Sequence, residues 1–343
     1  MTSPGSTSAL VVAPGGDLEV EQRAIPRPAP HEALVRIAFG GICGSDLGYW
    51  RHGAAGESRL RGPMVLGHEV SGYVEEEAAD GSGPTRGTLV AVHPATSPAL
   101  APDGTTLRAG SYLGSAAHWP HTDGALAGTV AMPTHMLRVV PSHVPPQDAA
   151  LAEPAAVAWH AVGQAGPLAG RRVLVVGCGP IGLLVIAVLK RAGAPTITAI
   201  DIHAEPLRRA AAIGADAALM AKDLAPHAGA FDAVFESSGT PAGLRTAIQS
   251  ARRGGRVVML GLLPPGDQPV AISTAIAAEL ELVGSFRFQD EISEVIDAFA
   301  DGSLNVDGIV THEFDLDDAA EAFRVASDPR ASGKVLLRLT DTA

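Results

Sequence analysis

The hexapeptide Gly177-Cys178-Gly179-Pro180-Ile181-Gly182 constrains the fold of this chain more than any other feature. It follows the apolar run RRVLVV and opens the apolar stretch LLVIAVLK, so it reads as a tight turn between a buried strand and a buried helix. In that setting each glycine has a physical task. The first permits the turn, the second lets a pyrophosphate approach the backbone, and the third allows the helix to pack closely on the strand. The N-terminus of the helix then faces the phosphate charge. Asp201 ends the next strand-like run, 19 residues after Gly182, where a carboxylate would bind ribose hydroxyls. The expected cofactor contacts are therefore Gly177, Gly179, Pro180, Ile181, Gly182, Asp201, Ile202 and Arg208. A carboxylate at Asp201 repels a 2′-phosphate and favours NAD(H) over NADP(H), whereas Arg208 and Arg209, one helix further on, pull the other way. A glycine turn with no ligand is the alternative.

Around this element the texture is regular. Candidate strands alternate with helix-length crossovers from RVLVVG through TITAID, ADAALM, FDAVFESSG and RVVMLG to ELELVGSF, about six strands between residues 172 and 286. Near-continuous apolar strands joined by helices predict a parallel, doubly wound α/β sheet. The first 150 residues differ: short β-rich runs such as LVRIA and LVAV, punctuated by Gly and Pro, suggest an all-β or mixed domain. The stretch from Ala95 to Gly110 reads as a loop. After residue 290 a helix (EISEVIDAFADG), a β-like EFDL, a second helix (DDAAEAFRVA) and a terminal strand (KVLLRL) follow.

A length of 343 residues suits two domains. A net charge of −12 argues against a general nucleic-acid binder, which needs a basic face. The two cysteines, Cys43 and Cys178, leave no disulfide framework. Val173–Leu189 is apolar, but three glycines and Pro180 interrupt it early, so a buried strand, turn and helix fit it better than a membrane span. The N-terminus has no basic region before its apolar stretch, so no signal peptide and a cytoplasmic location are expected.

A second cluster lies in the N-terminal part: Gly41-Ile42-Cys43-Gly44-Ser45-Asp46, then Gly67-His68-Glu69. Thiolate, imidazole and carboxylate are all zinc ligands, and an open catalytic site needs three of them. Taken singly, Cys43 suits a buried small hydrophobe and His68 a hydrogen-bonded core histidine.

Together with LAEPAAVAWHA, VVGCGPIG and GSFRF, the segment GGICGSDLGYWRHGAAGESRLRGPMVLGHEVSG resembles the zinc-dependent medium-chain dehydrogenase/reductases, in particular their polyol dehydrogenase branch. The resemblance runs from about Leu10 to Leu339. It implies a GroES-like catalytic domain built from residues 1–158 and 294–343, a Rossmann domain of residues 159–293, and a cleft between them. It further implies that Cys43, His68 and Glu69 hold one catalytic zinc, with Glu153 as ligand or partner of the metal-bound water. Glu153 also suits the cap of the helix that follows it. Ser45 matches the family's proton-relay hydroxyl, and Tyr49, Arg287 and Phe288 match positions that contact substrate. Arg287 is alternatively placed to pair with Asp290 or Glu291.

Two departures qualify the match. The stretch that carries four cysteines in relatives has none here, so a single metal per chain is expected. Gly48 stands where many relatives carry a relay histidine, leaving His52, another group or solvent for the last proton hop. The activity implied is alcohol–ketone interconversion on a polyol or sugar acid, L-idonate to 5-ketogluconate above all, with a cyclitol or keto-cyclitol as runner-up. A non-catalytic NAD(H)-binding protein is the reading from another class. The run ELELVGSF at the sheet edge suits pairing across a two-fold axis, hence a homodimer or homotetramer.

Overall fold

The computed structural model describes residues 5–95, 99–100, 106–108, 110–224 and 229–340. The chain divides into two compact units, Met1–Glu153 with His312–Ser327 and Val335–Ala343, and Pro154–Thr311 with Asp328–Lys334.

In the first unit the backbone of the structure is the ten-residue strand Glu32–Gly41, buried along nearly its whole length. It pairs with Glu69–Glu76 on one side, and Lys334–Arg338 and Thr129–Pro133 also pair with it. The strands Leu89–Val92 and Leu137–Val139 extend the sheet beyond Glu69–Glu76. A smaller antiparallel sheet joins Ser6–Val12 to Leu18–Ala24 and to Met64–Val65. Val35, Ile37, Val70, Val90, Leu126 and Phe323 lie in the common core. The stretch Ala95 to Gly110 is not all loop: Ala99–Leu100 pairs with Thr106–Arg108, while residues 96–98, 101–105 and 109 lie outside the described part.

The second unit carries six parallel strands, in the order Ala217–Met220, Thr196–Asp201, Arg172–Val176, Phe231–Glu236, Ala251–Met259 and Glu281–Gly284. Numbered along the chain this order is 3-2-1-4-5-6, the doubly wound arrangement predicted from the alternating pattern. Its central strand is apolar at four of five positions because both faces are covered. Every strand points its C-terminal end toward the same pole, and Gly177 and Asp201 lie there. Among the described residues no helix is long and apolar enough to cross a membrane.

Candidate active site

Pairing register builds the first half of the site. Gly41 is directly opposite Glu69 in the antiparallel ladder. A Cβ on Gly41 would lie 2.1 Å from Glu69 Oε2, so the carboxylate occupies the space that glycine leaves. Two residues after Gly41 the chain turns at Cys43 into the helix Gly44–His52. In the loop that leads into Glu69–Glu76, Gly67 adopts φ 91°, a left-handed conformation just before His68 and Glu69. Candidate ligand atoms of Cys43, His68 and Glu69 thereby come within 4.8 Å of one another, with His68 and Glu69 buried.

Asp46 ties these segments together. It is fully buried, and its two carboxylate oxygens accept N–H groups from Cys43 (2.9 Å) and Gly67 (3.2 Å). Burial pushes its carboxyl above the usual range, against the lowering effect of His68 and the two amides. Burial alone would also lower the His68 imidazole. The charge and hydrogen bond of Cys43, with the charges of Glu153 and Asp46, outweigh it and push the imidazole up to about 10. His68 Nδ1 is buried with no hydrogen-bond partner, a cost of about 1–3 kcal/mol unless another group satisfies it. The donor set, one thiolate, one imidazole and one carboxylate, fits zinc with three protein ligands and an open fourth position.

Glu153 stands at the edge of this cluster rather than within it. It is buried at the start of the helix Ala152–Gln164, and its Oε1 accepts the Tyr112 hydroxyl at 2.5 Å. The Tyr112 ring also packs edge-on against His68, with centroids 5.4 Å apart. Neither Tyr112 nor Asp46 carries a role in the sequence reading. Asp46 at least left a signal, a carboxylate three residues after Cys43 where it can cap the helix. Tyr112 left none, because its partners lie far away in the chain.

Ser45 Oγ is buried with no hydrogen-bond partner among the described residues. His52 is exposed at the far end of the same helix, seven residues on and hence about 10 Å along the axis. At that separation a proton would need an intermediary between Ser45 and His52, so His52, another group and solvent all stay candidates for the last hop. Gly48 has a steric explanation: a Cβ there would lie 2.8 Å from the Ala54 carbonyl oxygen. Tyr49 is buried in the core, and its hydroxyl oxygen accepts the Ala116 N–H at 3.0 Å, leaving the hydroxyl proton to donate.

In the second unit, Gly177 has φ 91°, and a Cβ on it would strike the Ser238 backbone nitrogen at 2.8 Å. A Cβ on Gly182 would lie 2.0 Å from the Gly177 carbonyl oxygen, while the space beside Gly179 is open. These are the packing and approach roles expected of the third and second glycines. Pro180 and Ile181 form the first turn of the helix Pro180–Arg191, which Gly179 caps. Asp201 accepts the N–H groups of Cys178 (2.8 Å) and His203 (2.9 Å), one on each oxygen. A carboxylate oxygen has two lone pairs, so both keep capacity for ribose hydroxyls. Ile202 is exposed beside it. Arg208 pairs with Glu205. The Arg209 guanidinium donates to the carbonyls of Pro329, Arg330, Ala331 and Ser332. Arg287, at φ 58°, and Phe288 follow the strand Glu281–Gly284, and the Arg287 guanidinium lies 4.9 Å over the Phe286 ring. Glu291 is engaged by His160 at 2.6 Å.

A dinucleotide fold and a buried three-donor metal cluster in one chain define a metal-dependent dehydrogenase. Residues 29–142 match the alcohol dehydrogenase GroES-like domain, and residues 180–301 match the zinc-binding dehydrogenase domain. The chain is 34% identical to sorbitol dehydrogenase of Gallus gallus over 100% of its length and 99% of that protein. It is 35% identical to L-idonate 5-dehydrogenase (NAD(P)(+)) of Escherichia coli K12, covering 89% of this chain and 91% of the relative. The crystal structure of L-idonate 5-dehydrogenase from Escherichia coli superposes with a TM-score of 0.89 at 33% identity, covering 97% of this chain and 98% of that one. The chain belongs to the zinc-dependent medium-chain dehydrogenase/reductases, oxidoreductases that act on CH–OH groups.

Proposed function

We propose that the protein interconverts a secondary alcohol of a sugar acid or polyol and its ketone, with NAD(H) as hydride carrier and L-idonate to 5-ketogluconate as the leading reaction. The observation that carries this reading is the buried convergence of Cys43, His68 and Glu69, with the unpartnered Ser45 hydroxyl two residues after the thiol. When bound, zinc supplies Lewis-acid polarisation of the substrate oxygen. Cys43, His68 and Glu69 hold it, and Asp46 fixes the two loops that present them. Ser45 accepts the substrate hydroxyl proton and passes it on toward solvent, with His52 or another group as an onward acceptor. Glu153, oriented by the Tyr112 hydroxyl, adds negative charge beside His68 to that of Cys43.

When bound, a nicotinamide would supply the acceptor for the carbinol hydride, while Ser45 takes the hydroxyl proton. Asp201 supports NAD(H) over NADP(H): its carboxylate repels a 2′-phosphate, and Arg208 and Arg209 are engaged elsewhere. A sugar acid is favoured because Arg287 offers a guanidinium suited to a carboxylate, and because of the relatedness to L-idonate 5-dehydrogenase. We also assign the chain to a homodimer through the edge strand Glu281–Gly284.

NADH formation by the zinc-loaded protein against L-idonate, sorbitol, other linear polyols and inositol-type cyclitols tests the reading. Activity on L-idonate that a strong chelator abolishes is the expected result, and activity confined to cyclitols would reassign the substrate. Cys43→Ser and His68→Ala should each remove turnover and leave NADH binding nearly intact. Near-normal turnover in either variant would sink the metal assignment.

A further inference from the structure

The pole of the second unit opposite the glycine turn holds an unassigned cluster of arginines. Arg171 immediately precedes the strand Arg172–Val176, Asp232 lies at the start of Phe231–Glu236, Arg252 and Gly254 lie early in Ala251–Met259, Arg256 lies further along that strand, and Glu281 opens Glu281–Gly284. These six residues line a cavity of about 60 Å³. Because the strands are parallel, the cluster gathers at their N-terminal ends, whereas Gly177 and Asp201 lie beyond the C-terminal ends. A five-residue strand spans roughly 15 Å, so the cavity is not the dinucleotide pocket.

The guanidiniums are held in place by backbone. Arg171 Nη1 donates to the Ala165 carbonyl (3.0 Å), Arg256 Nη1 to the Gln164 carbonyl (2.8 Å) and Arg252 Nη1 to the Arg253 carbonyl (2.7 Å). Two of the three charges are matched: Arg252 pairs with Asp232 at 2.5 Å, and Arg256 pairs with Glu281. Arg171 has no carboxylate partner among the described residues, although the chain as a whole carries a net charge of −12. The local field is positive enough to act on Asp232. Burial would raise its carboxyl, but hydrogen bonds from Arg252 and the Arg172 amide, and the charges of both arginines, hold it below the usual range.

We propose that this cavity binds a phosphate group, free or as a monoester, with Arg171 as its principal charge partner and Arg252 and Arg256 flanking it. The Arg171 guanidinium brings forked N–H donors of the kind tetrahedral oxyanions accept, while Arg252 and Arg256 flank it already paired with the lining carboxylates Asp232 and Glu281, so one net positive charge is left to neutralise. Volume agrees, since a site of about 60 Å³ holds several water-sized groups. Binding there joins the beginnings of four strands, so its effect is stabilisation of the second unit, independent of turnover.

The test uses the full-length, zinc-loaded protein saturated with NADH, so that the dinucleotide pocket is filled. Inorganic phosphate is titrated at ionic strength held constant with KCl, and both the melting temperature and the ³¹P signal are followed. The expected result is a saturable rise in melting temperature with one phosphate bound per chain. Arg171→Gln should weaken the apparent affinity about tenfold or more, Arg171→Lys should fall between, and both should retain wild-type NADH affinity. Glycerol 3-phosphate added as competitor distinguishes the source: displacement at lower concentration than inorganic phosphate assigns the site to a phosphomonoester, and weaker displacement assigns it to the free ion. An effect that KCl reproduces, that vanishes under saturating NADH, or that is unchanged in Arg171→Gln overturns the proposal. Were Arg171→Gln not to fold, the wild-type titration under NADH would still decide the matter.

Discussion

At the scale of single residues, the metal cluster depends on an atom that is missing. Gly41 faces Glu69 in register, and the carboxylate fills the volume where any side chain at 41 would stand. Gly41→Ala should therefore displace Glu69 while leaving Cys43 and His68 in place. The expected outcome is a loss of zinc affinity of about 10–100-fold, the range seen when groups supporting a ligand are disturbed, read as zinc content after dialysis against a metal buffer. Full zinc retention in a folded Gly41→Ala protein would show that Glu69 is not a ligand. The same scale separates what the sequence disclosed from what it withheld. Cys43, His68 and Glu69 were named as ligands only through the family resemblance, because each residue alone also suits an ordinary buried role and their spacing does not decide between the two. Tyr112 was not, since its hydroxyl finds Glu153 across 41 positions of chain and from a stretch that local pattern marks only as irregular.

Single elements were legible in proportion to how local their cause is. The central parallel strands of the second unit are buried on both faces, so a short apolar run such as Val173–Val176 announces itself. Leu18–Ala24 is half-exposed along an edge, and its strand character comes from its partner Ser6–Val12 rather than from its own sequence. The turn Gly177–Gly182 was legible as a strand–turn–helix with a role for each glycine, because strand, turn and helix are contiguous. Its third glycine has the sharpest consequence: Gly182→Ala places a Cβ 2.0 Å from the Gly177 carbonyl oxygen and 2.9 Å from Ser237 Oγ. The helix must move off the strand, so NADH affinity should fall at least tenfold with zinc content unchanged, as checked by fluorescence titration and metal analysis. The helix Ile292–Ala300 is likewise fixed at its start, where Glu291 accepts from His160 and from the Gln289 amide (2.6 Å). Burial would raise the Glu291 carboxyl, but these bonds hold it below its ordinary value near 4.5. A depressed folded-state value means that the contribution to stability is complete above about 4.5 and is lost as pH falls through the folded-state value. The melting-temperature gap between the wild type and Glu291→Gln should accordingly be full at pH 6 and close progressively below pH 4.5. A gap that stays constant down to pH 3 would remove Glu291 as its cause.

For the whole molecule, the telling feature is where exposed apolar surface collects. Among the described residues, Leu262, Val270, Ile272, Ile276 and Phe286 are large hydrophobics left in solvent, and all fall within one 25-residue stretch that leads into and out of the last strand of the sheet. That strand, Glu281–Gly284, has Ala251–Met259 on one side and, among the described residues, no strand on the other. An open strand edge with apolar neighbours is a liability in a monomer and an asset in a symmetric pair, where the same surface meets itself across a two-fold axis. Ile272 and Ile276 lie one helical turn apart and so share a face of the helix Ile272–Ala277, and Ile276 is 70% exposed. The double change Ile272→Lys and Ile276→Lys adds four positive charges to a two-fold interface without touching the metal donors or the glycine turn. Light scattering should report a dimer for the wild type and a monomer for the variant, with circular dichroism unchanged. A dimer that survives both lysines would place the interface elsewhere on the chain. A wild type that is monomeric at micromolar concentration would leave the apolar stretch without the partner assigned to it.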